Sequence, residues 1–274
     1  MTRDEHDHAG EGLARDLSVL RRLQGRRAFL RALGTASMIP LVGCGPGGAG
    51  GAAASDTSGD TSGGAGGTSC QEIPTETGGP YPADGTNGPN ALSLDGIVRR
   101  DITSSFGSMT GTAEGIPLTV KLTLANAAAS CAALAGYAIY LWHCDQGGYY
   151  SLYTAPARNY LRGLQEAGAD GVVTFQTIFP GCYSGRWPHI HFEVYTDLSS
   201  AVAGTGKVKT SQLALPAAVC AEVYGTSGYA SSKTNLAGVS LATDNVFSDG
   251  YDLELASVDG DTGAGFVASL VVGV

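Results

Sequence analysis

The stretch F-P-G-C-Y-S-G-R-W-P-H-I-H-F-E-V, residues 179–194, ends in the alternation of a β-strand. Successive side chains on a strand leave opposite faces. His189 and His191 therefore project from one face, while Ile190 and Phe192 project from the other. Two imidazoles two residues apart on one face can reach a single metal ion. Pro180-Gly181 and Pro188 bracket a tight loop that presents Tyr183 and Arg186 just ahead of the histidines. An ordinary edge strand with two solvated histidines would need neither the phenol nor the guanidinium.

Outward from this loop the chain reads as β structure. Ile116–Ala125 (I-P-L-T-V-K-L-T-L-A) alternates strictly and is the clearest strand. Tyr137–His143 (Y-A-I-Y-L-W-H) is apolar on both faces, as a central strand would be. It runs into the turn C-D-Q-G-G-Y-Y, residues 144–150, which exposes aromatic residues at the strand end. Gly171–Ile178 is a third strand, and Gln212–Leu215 is read as a fourth. Ala217–Tyr224 has room for one or two helical turns. Tyr251–Ser257 and Gly265–Val272 look strand-like, and Thr75–Asn90, rich in Gly, Pro and Asn, reads as loop. No internal repeat and no long amphipathic helix is present. The expectation is an all-β fold, a β-sandwich core with long functional loops and little helix.

The N-terminal region reads as an address. G-R-R-A-F-L-R, residues 25–31, matches a twin-arginine export signal, and L-V-G-C, residues 41–44, matches a lipobox. The apolar run between them is too short to span a bilayer. Residues 1–43 are expected to be a twin-arginine lipoprotein signal peptide, cleaved before a lipidated Cys44. Residues 44–69, rich in Gly, Ser and Ala, then form a flexible tether, and residues 70–274 form the folded domain. This predicts a cell-envelope lipoprotein whose only membrane contact is its lipid. From residue 45 onward, nine Lys and Arg face twenty Asp and Glu, a balance that argues against nucleic acid as a partner. Whether the chain self-associates is left open. In an oxidising compartment most of Cys70, Cys131, Cys144, Cys182 and Cys220 should pair, with connectivity undetermined.

Of five histidines (His6, His8, His143, His189 and His191) only three belong to the folded domain, so other ligand types must complete a metal site. Tyr183 can join His189 and His191, and Tyr150 or Tyr149 can supply a fourth ligand from another strand end. A phenol ionises near ~10, so a strongly charged hard cation is needed to hold it as phenolate, and Fe(III) suits phenolate with imidazole. His143, on the central strand, is expected to be structural, and Tyr160 and Arg162 to pack and pair.

Several stretches together resemble the intradiol ring-cleavage dioxygenases, in particular the exported branch similar to the protocatechuate dioxygenase β subunit. They are T-E-T-G-G-P-Y (75–81), R-R-D-I-T (99–103), W-H-C-D-Q-G-G-Y-Y-S (142–151), N-Y-L-R-G-L-Q (159–165), G-V-V-T-F-Q-T-I-F-P-G-C-Y (171–183), G-R-W-P-H-I-H-F (185–192) and T-S-Q-L (210–213). The resemblance runs from about Cys70 to Tyr224. It implies non-haem Fe(III) held by Tyr150, Tyr183, His189 and His191. It implies catalytic roles for Arg186, Gln212 and Tyr183, and a substrate pocket that includes Gly79, Pro80 and Tyr81. The implied reaction takes a small aromatic diol and O2 and opens the ring between the two hydroxyl-bearing carbons, giving a muconate-type diacid. Cys182 departs from the bulky aromatic usual at its position. The alternative is a non-catalytic envelope β-sandwich that binds a ligand and retains the metal pocket.

Overall fold

A computed structural model describes residues 70–274. The export motif, the lipobox with Cys44 and the Gly/Ser/Ala tether lie outside the described residues.

Strand β1 (Pro117–Asn126) alternates in burial as in sequence and sends Leu118, Val120, Leu122 and Leu124 inward. It pairs antiparallel with β5 (Val172–Ile178) and with the two-residue β2 (Ala132–Ala133), and parallel with β9 (Gly265–Gly273). Strand β9 in turn carries β8 (Ser257–Asp261). The second sheet is antiparallel throughout, in the order β4 (Arg162–Glu166), β3 (Ala138–Trp142), β6 (His189–Tyr195), β7 (Lys207–Ala214). Ile139, Leu141, Ile190, Phe192, Val194 and Leu213 of this sheet share one buried cluster with the inward residues of β1, β5 and β9. Two sheets closing on one apolar layer make a β-sandwich. Each large side chain there contributes roughly 1.5–3 kcal/mol by leaving water.

The other face of the four-stranded sheet is also covered. Tyr140, Trp142 and Tyr195 pack with Ala83, Leu92, Ile97 and Tyr150 from the long loops, with Tyr81 and Phe106 alongside. This third layer buries the face from which His189, His191 and Glu193 project. Among the described residues three short α-helices, α1 (Leu198–Val202), α2 (Ala217–Val223) and α3 (Ala230–Leu236), and a 3-10 turn at Phe247–Asp249 complete the fold.

Three expectations are corrected. Strand β7 begins at Lys207, earlier than expected at Gln212, because its buried residues include Lys209 and Ser211, polar groups invisible to a hydrophobic period. Of the expected strand Tyr251–Ser257 only Ser257 belongs to β8; the preceding residues turn, with the Tyr251 carbonyl accepting from the Glu254 and Leu255 amides. Among the described cysteines, Cys70 and Cys131 form a disulfide, while Cys144, Cys182 and Cys220 are free and buried. Their sulfurs lie against the carbonyls of Gly181, Arg186 and Leu215, packed as small apolar groups.

Candidate metal centre

Strand β6 delivers both histidines to the covered face, each only 2% exposed. Their Nε2 atoms lie 3.1 Å apart. His189 Nδ1 lies 2.5 Å from the Trp187 carbonyl, which can only accept. Nδ1 therefore carries the proton and Nε2 keeps its lone pair. The His191 ring stacks on Trp142, its cross-strand neighbour on β3, at 4.9 Å and 2°. Burial, helped by the nearby Arg186 charge, holds both imidazoles well below the usual histidine range, so they are neutral.

Two loops bring the phenols. Tyr150 follows β3 and Tyr183 precedes β6. Their hydroxyls lie 3.5 and 3.3 Å from His189 Nε2, and the rings meet edge to face at 5.9 Å. The loops can approach because Gly181 has no side chain: a Cβ there would lie 2.6 Å from the Gln146 carbonyl oxygen and 2.8 Å from that of Asp145. Asp145 Oδ1 accepts from the Gly147 and Tyr149 amides and folds the turn. In that turn Tyr149 points outward, 48% exposed, and Tyr150 inward, 1% exposed. Of these neighbours, Tyr150 is the one that faces the histidines.

The four atoms fit a metal ion better than they fit one another. Two phenol hydroxyls and His191 Nε2 converge on the single lone pair of His189 Nε2, which accepts one hydrogen bond. Separations of 3.1–3.5 Å are those of ligands bound at about 2 Å to a common ion. Burial pushes the Tyr150 phenol well above its ordinary range, with the neighbouring Tyr183 adding to the shift. A phenolate there needs a compensating cation. Among the described residues no three His, Cys, Asp or Glu side chains gather to hold a metal, and the side-chain oxygens that lie against the histidine pair are the two phenols. Glu193, the acid on the same strand face, is instead tied to Lys207 at 2.8 Å and to the Tyr195 hydroxyl at 2.6 Å. Two phenolates and two imidazoles suit ferric iron.

Arg186 and Gln212 lie beside this centre, both fully buried. Gln212 stands directly across from His191 in the β6–β7 register. Its side-chain oxygen accepts from Arg186 Nη2 at 2.7 Å, and its amide donates to the Thr77 carbonyl at 2.8 Å. Gln212 thus ties Arg186 to the 75–81 loop. In that loop Tyr81 packs its ring 4.9 Å from that of Tyr150. Gly79 bends the chain at φ 67° and Pro80 precedes the tyrosine, so these two shape the loop. Arg162 closes the arrangement from behind. Its five N–H groups donate to Ser151 Oγ, the Ser151, Pro82 and Tyr81 carbonyls, and the Tyr140 hydroxyl. His143 is not among the converging groups. It lies between the Cys144 carbonyl and Thr177 Oγ1, at 2.7 Å from each.

The residue missed by sequence reading is Asp244, fully buried and 2.9 Å from Arg186 Nε. It belongs to a D-N-V-F stretch with only a turn signal, 58 residues from its partner.

No protein-family model matches the chain, and no curated protein is significantly similar in sequence. Solved structures do match. The intradiol ring-cleavage dioxygenase from Tetranychus urticae is 23% identical with a TM-score of 0.58, over 74% of this chain and 94% of that one. The dioxygenase domain of a dioxygenase carbohydrate-binding protein fusion from Streptomyces sp. SirexAA-E is 25% identical with a TM-score of 0.49, over 74% of this chain and 98% of that one. With its two-sheet sandwich, the chain has the fold of the Tetranychus urticae intradiol ring-cleavage dioxygenase.

Proposed function

We propose that this chain is a non-haem Fe(III) dioxygenase that opens a catechol-type ring between its two hydroxyl-bearing carbons, using O2 and yielding a muconate-type diacid. The observation that carries the reading is the convergence of Tyr150, Tyr183 and His191 on His189 Nε2. When bound, ferric iron would chelate the diol and draw electron density from its ring, opening a ring carbon to O2.

The protein's own groups divide the remaining work. Tyr150 is buried and wedged by Tyr81, so it stays a fixed ligand. Tyr183 is only partly buried and belongs to a loop that turns at Gly185 with φ 82°. It is the ligand able to swing out, its Oη taking a proton from the incoming diol. Arg186 holds a fixed positive charge beside the centre, where negative charge develops on the opening ring. Gln212 keeps that guanidinium in place. Tyr81 and Trp142 line the covered face and limit water.

The protein loaded with Fe(III) should be red-brown from phenolate-to-iron charge transfer. With catechol and O2 it should form a colourless, ultraviolet-absorbing diacid that carries both oxygen atoms. A yellow semialdehyde product, or a requirement for ferrous iron, would overturn the proposal. The twin-arginine and lipobox motifs further propose export and lipid anchoring at Cys44. Intact-mass analysis of membrane-associated protein should then find the chain starting at a lipidated Cys44, and an unlipidated chain retaining residues 1–43 would refute this.

A further inference from the structure

The Asp244 carboxylate accepts four hydrogen bonds with no solvent exposure. Oδ2 takes Arg186 Nε at 2.9 Å and the Trp187 amide at 2.7 Å. Oδ1 takes the Val246 amide at 2.8 Å and the Phe247 amide at 3.2 Å. Every facing group is a donor, and a carboxylate has two acceptor oxygens and no donor of its own. Asparagine fills the same volume, but in either orientation its NH2 would face two donors.

Two of those donors, Arg186 Nε and the Trp187 amide, connect the distant Asp244 loop to the centre. Arg186 reaches onward to Gln212, opposite His191. The Trp187 residue, held through its amide, offers its carbonyl to His189 Nδ1. The same loop lays Phe247 against His189, with ring centroids 6.5 Å apart. A buried guanidinium also needs a counter-charge, and Asp244 supplies it at hydrogen-bonding distance.

We infer that Asp244 is a positioning residue: it fixes the Arg186 guanidinium and, through Trp187, the His189 imidazole in the geometry used for ring opening. The inference rests on the function proposed above, but the fixing of Arg186 can be read without turnover.

The test compares the full chain with Asp244→Asn, loaded with diamagnetic Ga(III) for nuclear magnetic resonance and with Fe(III) for kinetics. In the Ga(III) form, solvent exchange of the Arg186 Nε–H should accelerate at least about 10-fold in the variant. That of Arg162, whose Nε–H is held by Ser151 Oγ, should stay unchanged and so report an intact fold. In the Fe(III) form, kcat should fall about 10- to 100-fold per bound iron, with KM for catechol within about threefold. Arg186→Gln combined with Asp244→Asn should lose less than the product of the two single losses, because part of the effect of Asp244 runs through Arg186. Unchanged Arg186 exchange, wild-type kcat in Asp244→Asn, or a double variant showing the product of the two single losses overturns the inference. If the wild-type Fe(III) protein opens no catechol while Arg186 exchange rises as expected, the proposed function fails and the fixing of Arg186 by Asp244 stands.

Discussion

Trp142 and His191 lie face to face across β3 and β6, their rings 4.9 Å apart and within 2° of parallel. The pairing is dictated by register, since the two residues are direct cross-strand partners. An imidazole clamped against a flat indole cannot rotate away from the point on which Tyr150, Tyr183 and His189 converge. Trp142→Phe keeps an aromatic surface but covers less of the ring. The expected result is a folded protein whose iron affinity falls about 10- to 100-fold, the usual penalty for losing a group that orients a ligand. Chelator competition checks it, and wild-type affinity in the variant would show that His191 needs no such support.

The three tyrosines at the two loops should separate cleanly on substitution by phenylalanine. Tyr150→Phe removes a buried ligand and should abolish most of the visible band and at least about 100-fold of turnover. Tyr183→Phe removes the mobile ligand, so it should shift the band and slow turnover strongly while the fold persists. Tyr149 points to solvent, and Tyr149→Phe should stay within about twofold of wild type. Visible spectra and kcat on the three variants decide this, and a Tyr149 effect larger than that of Tyr150 would reverse the assignment.

Much of this was legible in the chain because local patterns carried it. The alternation of residues 116–125 gave β1, the two-sided apolar run of 137–143 gave the inner strand β3, and H-x-H gave two imidazoles on one face. Other parts have no local signature. Strand β4 reads R-G-L-Q-E and buries its arginine, the reverse of what hydrophobic patterning seeks. Asp244 and Thr177 acquire their meaning from partners 58 and 34 residues away. Tyr149 and Tyr150 are identical side chains, and only the Asp145-centred turn decides which one faces the histidines. Cysteine pairing is likewise a property of the folded positions, and three thiols found apolar packing in place of partners.

His143 should make the fold acid-sensitive. Burial is the largest cause of its shift and pushes its pKa down from 6.5 to about 4. The native state keeps the imidazole neutral, donating from Nδ1 to the Cys144 carbonyl and accepting from Thr177 at Nε2. The unfolded chain takes up a proton below about 6.5. The sign follows: this stability is fully present above pH 6.5 and is lost as pH falls through about 4, by about 3 kcal/mol. His143→Asn cannot protonate. It should be less stable than wild type at pH 8 by about 1–3 kcal/mol, and the gap should narrow as pH falls from 6.5 to 4. Denaturant unfolding of both proteins across that range measures it. A gap that stays constant with pH would mean that His143 is not held neutral.

Gly181 is where the two ligand loops depend on one missing side chain. A Cβ at this position would lie 2.6 and 2.8 Å from two backbone carbonyl oxygens, those of Gln146 and Asp145. Backbone cannot yield as a flexible side chain would, so Gly181→Ala must push the 144–150 turn away from the 180–183 loop. The same contact holds the Gly181 amide on the Asp145 carbonyl at 3.0 Å, and that bond would be lost. Strain of this kind typically costs about 1–3 kcal/mol, which a sandwich with a large shared core can absorb. The metal centre cannot absorb it so easily, because Tyr150 and Tyr183 sit on opposite sides of the parted loops while His189 and His191 stay on β6. The expected outcome is a folded, colourless protein: near-native far-ultraviolet circular dichroism, a melting temperature lowered by several degrees, and iron content reduced at least about 10-fold. Gly181→Ala protein that binds iron as wild type does, with its visible band unshifted, would show that the tyrosines reach the metal without this close approach.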